Sequence, residues 1–238
     1  MLYTKKRRPN TRAVFTACLI TVTASIITVT GIHSGQLWWK MLPLYISLSV
    51  GLLQTQASRY ATLVGGTNSL IYAGVNLAEK LYAQSAYSLL VSCPVQIATF
   101  LRWSKNKYRQ STKFRKMTAK QRSILFISVA AVLTAACFVY ATLLGAIGRD
   151  FDMLTLILDT AMTLVGVVSM LLTYLSFVEF TWFVLLTGIL SITLDARMVF
   201  TGNSARITFL VFSVYSMICV AMQFVAVKRL YREQQECE

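Results

Sequence analysis

Residues 102–122 read RWSKNKYRQSTKFRKMTAKQR, with nine Lys or Arg and no Asp or Glu. Long apolar runs flank the segment at 81–103 and 123–147. Such a block of like charge stays out of hydrocarbon, and basic connecting segments collect on the cytoplasmic face of a membrane. The segment therefore marks one side, and the other apolar runs can be placed relative to it. Working outward, eight runs can be drawn, at 13–31, 37–57, 60–78, 81–103, 123–147, 152–172, 178–200 and 206–227. In lipid each must satisfy its own backbone hydrogen bonds, so each is predicted as a helix. The runs 60–78 and 178–200 carry the most polar residues.

Composition agrees with a membrane protein. Charged residues make up 13% of the 238, against about 25% in soluble domains, and the mean hydropathy is +0.60. At roughly 25–30 residues per span and connection, the length holds about seven to nine spans and no separate soluble domain. The first apolar stretch is long enough to stay in the bilayer, so it reads as a span rather than a cleaved leader. The net charge of +14 would point to nucleic acid in a soluble protein. Here the basic residues lie between apolar runs, so membrane lipid and not nucleic acid is the expected neighbour.

The distribution of charge sets the orientation. The N-terminal tail (1–12) holds Lys5, Lys6, Arg7, Arg8 and Arg12, Arg59 sits in a second turn, and the tail 228–238 holds Lys228, Arg229 and Arg232. With eight spans these and the nine of the 102–122 segment share one side, eighteen of the 23 basic residues. Lys40, Lys80, Arg149, Arg197 and Arg206 fall at the other face. Both termini and the basic loop 104–122 are therefore expected in the cytoplasm.

Spans two to four (37–103) are joined by short turns, and so are spans six to eight (152–227). A three-helix unit enters on one face and leaves on the other, so repeating it in the same orientation needs one crossing helix. Residues 123–147 supply that link, and 13–31 becomes an accessory helix. The expected fold is an all-α polytopic membrane protein with a 3+1+3 arrangement of parallel repeats plus one N-terminal helix. An offset of 120 places Thr67-Asn68 over Thr187-Gly188 and Arg59-Tyr60 over Glu179-Phe180.

Polar residues at membrane depth are the candidates for function. Asp159 lies about eight residues into its run. It reads either as a coupling or gating group or as an interfacial residue pairing with Arg149 or Arg206. Glu179, the second candidate for coupling or gating, opens its span, where a helix N-terminus favours a carboxylate. Thr67 and Asn68 follow Gly65-Gly66 in mid-span, with Asn76 two turns on. Gln84, Ser88, Ser92 and Gln96 recur at i, i+4, one polar stripe on an α-helix, with Pro94 loosening a nearby carbonyl. Such residues bind a ligand or glue helices together. Trp182, Phe183, Tyr87 and Tyr215 are candidate stacking faces for a flat ring, while Trp38, Trp39 and Trp103 sit at span ends like an interfacial belt.

No catalytic motif occurs, so no enzyme is expected. No cofactor and no metal is expected either. His33 is the single histidine, and the five Cys (18, 93, 137, 219, 237) form no CxxC and read as packing residues.

The second half carries Asp159-Thr160-Ala161-Met162, Ser169-Met170-Leu171-Leu172 and Val178-Glu179, and the first half has Asn68, then Leu81-Tyr82-Ala83 and a helix ending near Trp103. These stretches resemble the PnuC family of vitamin transporters over roughly 45–230. The resemblance implies the 3+1+3, SWEET-like fold and a ligand site between the two three-helix units. It also implies facilitated diffusion of a vitamin or nucleoside, trapped inside by a cytoplasmic kinase. The family's nicotinamide riboside transporters tend to carry Trp-x3-Asn in the middle helix of each repeat. Here Val64 and Asn68 stand in the first copy and Val184 and Gly188 in the second. Nicotinamide riboside is therefore one substrate class beside thiamine, riboflavin and deoxynucleosides. On this reading Asn68, Thr67, Gln84, Ser88, Gln96 and Thr187 hydrogen-bond the ligand, and Trp182 or Tyr215 stacks on it. A homo-oligomer is compatible with all of this, as is a non-transporting membrane scaffold or receptor subunit.

Overall fold

The structure, a computed structural model, describes residues 11–33, 35, 37–78, 85, 87–146, 153–201 and 207–236. The described chain is helical apart from one small hairpin. The helices are α1 (Thr11–His33), α2 (Trp38–Thr55), α3 (Tyr60–Ala78), α4 (Cys93–Lys105, entered through a π-helical turn Ser88–Ser92), α5 (Ala119–Ala146), α6 (Met153–Tyr174), α7 (Phe180–Phe200) and α8 (Ile207–Glu236). Strands β1 (Lys107–Tyr108) and β2 (Ser111–Thr112) pair antiparallel between α4 and α5. Among the described residues, Phe15–His33, Ala119–Val139, Phe180–Phe200 and Ile207–Glu236 are long and apolar enough to cross a bilayer.

Helices α2, α3 and α4 pack on one another in sequence, and so do α6, α7 and α8. The two groups meet twice, α2 against α8 and α4 against α6. Gly51 permits the first junction, since a Cβ there would lie 3.0 Å from the Tyr215 ring. The Tyr215 hydroxyl donates to the Leu48 carbonyl across the same contact (2.7 Å). Helix α1 lies along α8 and α2, tied by Thr28 to Tyr45 (2.7 Å) and by Thr208 to Thr30 (3.1 Å). Helix α5 rests on α6 alone among the larger helix contacts, and it exposes Ile124, Phe126, Ile127, Val132 and Phe138, as a lipid-facing helix does.

The turn after α2 and the turn after α6 have the same construction. Ala57 and Ser176 both have positive φ, 49° and 62°. Ala57 N–H donates to Gln54 and Ser58 N–H to Leu53, while Ser176 N–H donates to Thr173 and Phe177 N–H to Leu172. Both are paired closures that end a helix with a left-handed residue. Thr62 and Thr181 then each return a hydroxyl to the carbonyl three residues back, Arg59 and Val178. Position 57 maps on 176, 54 on 173 and 62 on 181, a constant offset of 119. The expected offset of 120 is thus one residue too long at these turns, because the short connection sets the register and not the side-chain coincidences. In the corrected register Thr187 falls on Asn68 rather than on Thr67.

The basic segment is more ordered than a loop. Its hairpin turns at Arg109 (φ 52°), and Phe114 and Met117 are buried. Arg59 N–H donates to Gln110, while Arg115 exchanges backbone bonds with Ser176 and Val178 (both 2.9 Å). The segment therefore ties down both matching turns. Residues 228–236 are not a loose tail but the last turns of α8. At about 1.5 Å per residue this helix overshoots a hydrocarbon core of about 30 Å. Gln234 there accepts from Phe114 N–H and donates to the Thr112 carbonyl (2.9 Å each), and Glu233 pairs with Arg109 at 2.7 Å.

Trp103 also departs from expectation. It is 2% exposed, its indole N–H donates to the Thr173 carbonyl at 2.9 Å, and it meets Phe114 and Phe180 edge-on. A span-end Trp can face lipid or the protein. Here the folded basic segment covers it, whereas Trp38 is 77% exposed as an interfacial residue would be.

A polar cavity where the two helix groups meet

Between the two groups lies a cavity of about 210 Å3, at the end that carries the basic segment. All six helices of the two groups reach it. Gln54 comes from α2, Thr62 from α3, Gln96 and Thr99 from α4, Ser169 and Thr173 from α6, and Gln223 from α8. Phe180 and Val184 of α7 and Trp103 close it with apolar surface. Hydroxyls and carboxamides around an aromatic wall can hydrogen-bond the edge of a polar ring compound while its face lies on carbon. Among the described residues, no charged side chain lines the cavity.

Among the described sequence candidates, Gln96 is the one that reaches it. Its carboxamide lies across Gly65, leaving no space for a Cβ there, and its Nε2 donates to Ser69 (3.1 Å) and Ser92 (2.9 Å). Ser69 and Ser92 bond each other at 2.9 Å. A serine–serine–glutamine cluster therefore locks α3 to α4 at the cavity's edge. Ser88 is half-buried in the π turn and takes no part in the cluster. The extra residue of a π turn rotates what precedes it by about 100°, one residue's worth of α-helix. The single stripe expected from i, i+4 spacing is therefore broken between Ser88 and Ser92.

The other candidates are spread over the protein. Asn68 is buried between α3 and α2, donating to the Pro43 carbonyl (3.1 Å) and to Ser47 (2.8 Å). Its carbonyl oxygen is buried without a partner. Thr67 is exposed and returns its hydroxyl to Val64, as Thr187 does to Phe183. Tyr215 is fully buried in the α2–α8 contact, away from the cavity. Trp182 is 57% exposed on the outer side of α7 and α8, edge-on to Phe224 with the Lys228 ammonium 5.1 Å from its ring. Glu179 is buried and accepts from the Met117 N–H at 3.1 Å, with Arg122 at 4.0 Å, so it holds the basic segment in place. Gln84 lies outside the described residues, as do the side chains of Asp159 and Asn76.

The sequence does not single out Gln54, Thr99, Thr173 and Gln223 as ligand contacts, and Ser169 stands out only within a family-like stretch. Gln54 and Gln223 stand near span ends, where a polar residue reads as reaching water. The hydroxyls of Thr99 and Thr173 are returned to their own helices, a pattern common to any membrane helix.

Comparison with known proteins places this architecture. A solved structure described as the vitamin B3 transporter PnuC matches with a TM-score of 0.70, covering 95% of this chain and 94% of its own, at 20% identity. At that identity the likeness is one of fold. No curated protein matches the chain. A family model described as nicotinamide mononucleotide transporter matches residues 37–226, most of the chain and both helix groups. The chain is a multi-pass membrane protein that belongs to the nicotinamide mononucleotide transporter family.

Proposed function

We propose that the protein is a facilitator for a ring-bearing, water-soluble vitamin or nucleoside, which crosses the membrane between α2–α4 and α6–α8. The observation that carries this reading is the polar cavity to which all six helices of the two groups contribute. The family match and the PnuC-like fold support it. Gln54, Gln96 and Gln223 are the proposed hydrogen-bonding groups, and Trp103 or Phe180 the stacking faces. A nicotinamide riboside-like compound heads the substrate list, with thiamine-, riboflavin- and deoxynucleoside-like compounds behind it. The cavity is smaller than the roughly 300–1,000 Å3 of ordinary ligand pockets. Passage therefore needs the two groups to rock apart about the α2–α8 and α4–α6 contacts, the motion that parallel repeats permit.

The proposed architecture is eight spans in a 3+1+3 arrangement, supported by the matching turns at the 119-residue offset. The proposed orientation puts both termini and the basic segment in the cytoplasm of a bacterial inner membrane, supported by the charge asymmetry. Reporter fusions after residues 112 and 238 should both report a cytoplasmic location. A periplasmic C-terminus would break the eight-span arrangement.

Transport is proposed to be uncoupled, with accumulation left to a cytoplasmic kinase, because among the described residues the cavity lining carries no titratable carboxylate. In liposomes, one compound of the panel should equilibrate to equal concentrations inside and out, with no response to a pH gradient or membrane potential. Accumulation driven by a proton gradient and abolished by Asp159→Asn would make Asp159 the coupling site. Failure of every compound in the panel to enter would reject the transport reading.

A further inference from the structure

A second concavity, about 870 Å3, opens on the outside of the bundle between α5, α7 and α8. Its two ends differ in chemistry. Away from the basic segment its walls are Leu125 and Phe126 of α5 and Leu186 and Ile189 of α7. At the end next to the basic segment it is ringed by Lys116, Arg122, Lys228 and Arg232. Among the described residues Lys116, Lys228 and Arg232 have no carboxylate partner. The one acid at the rim among the described residues, Glu179, already accepts from the Met117 N–H and lies 4.0 Å from Arg122. The rim therefore carries a clear surplus of positive charge. Trp182 lies in the groove between the two ends, with its ring partly open and Lys228 beside it.

We propose that this groove holds one anionic phospholipid of the leaflet next to the basic segment. The phosphate sits among Lys116, Arg122, Lys228 and Arg232, and an acyl chain lies along Leu125, Phe126, Leu186 and Ile189. Charge complementarity selects the occupant. An apolar groove alone would take any lipid, but cations without a carboxylate partner beside it favour a lipid with net negative charge. A soluble anion would leave the apolar half of the groove unfilled. A second copy of this chain would have to bring acidic residues to the rim, and the whole chain has only nine Asp and Glu. The lipid would also reinforce the contact of α5, which rests mainly on α6 and meets α7 through the stacked Phe126 and Phe183 rings. The proposal does not depend on what is transported.

The test is native mass spectrometry of the detergent-purified protein with phosphatidylglycerol or phosphatidylcholine of identical acyl chains. One phosphatidylglycerol should be retained about tenfold more strongly than phosphatidylcholine. The double variant Lys228→Gln/Arg232→Gln should lose that preference, while Arg229→Gln, whose side chain pairs with Glu233, should keep it. A second readout needs no charge variant. Phosphatidylglycerol brominated on its acyl chains should quench tryptophan fluorescence more than the phosphatidylcholine analogue, and the excess should vanish in Trp182→Phe. Equal retention and equal quenching by the two lipids would overturn the proposal. So would displacement of phosphatidylglycerol by millimolar inorganic phosphate, which would mark a free-anion site. Disulfide-linked dimers of Leu186→Cys in native membranes, absent from the parent, would place a second copy in the groove and also overturn it.

Discussion

Trp103→Ala is expected to destabilise the protein by about 3–5 kcal/mol, the range for truncating a large buried aromatic. Three connections meet at this side chain. It belongs to α4, donates its indole N–H to the last turn of α6, and packs edge-on against Phe114 of the basic segment at 5.6 Å and Phe180 of α7 at 6.5 Å. Alanine removes the rings' common contact and leaves the Thr173 carbonyl with the Ser176 N–H but without the indole donor. Measured as thermal unfolding in detergent, the loss corresponds to a midpoint roughly 6–20 °C lower, at about 2–4 °C per kcal/mol for a chain of this size. Trp103→Phe restores most of the packing but not the hydrogen bond, so it should lose only about 1–3 kcal/mol. Trp38→Ala serves as the contrast, because Trp38 is 77% exposed at the start of α2. Equal effects of Trp38→Ala and Trp103→Ala would mean that the basic segment does not cover Trp103 as described.

The same residue shows where reading the sequence stops. Basic segments punctuate apolar runs, and each predicted run coincides with the described part of a helix to within a few residues at most ends. The exceptions have physical causes. The run ending at 227 continues as helix to Glu236, because a helix that leaves the bilayer need not end there when Gln234 and Glu233 have partners waiting on the basic segment. Helices apolar all round carry no sign of which face meets protein. That is why Trp182 and Tyr215 looked alike as stacking candidates, and why one lies open on the outer surface and the other fully buried between α2 and α8. Spacing at i, i+4 presumes unbroken α geometry, and the π turn at Ser88–Ser92 breaks it just before Pro94. Of the proposed ligand contacts among the described residues, Gln96 alone lines the cavity, because it projects across a glycine that leaves it room. The others sit on faces that only the packing of helix on helix could assign.

Gln223→Leu is the substitution expected to separate binding from folding. Gln96 is a poor choice for that purpose, since it bonds both Ser69 and Ser92 and its loss would loosen α3 from α4. Gln223 is buried on α8, lines the cavity from the side facing α4 and α6, and is close to leucine in size. A ligand group that hydrogen-bonds the carboxamide would, in the variant, be buried against a methyl pair. An unmet polar group of this kind costs about 1–3 kcal/mol, roughly five- to 150-fold in Kd. The expected result is that weakening for whichever compound of the vitamin and nucleoside panel binds, measured by calorimetry or by uptake at subsaturating concentration. The unfolding midpoint should stay within a few degrees of the parent. Val184→Leu, from the apolar wall of the same cavity, narrows the space without removing a polar partner. It should discriminate by size, weakening a riboflavin-like tricycle more than a single-ring nicotinamide riboside. If Gln223→Leu binds the ligand as tightly as the parent, the cavity between the helix groups is not where the ligand is held.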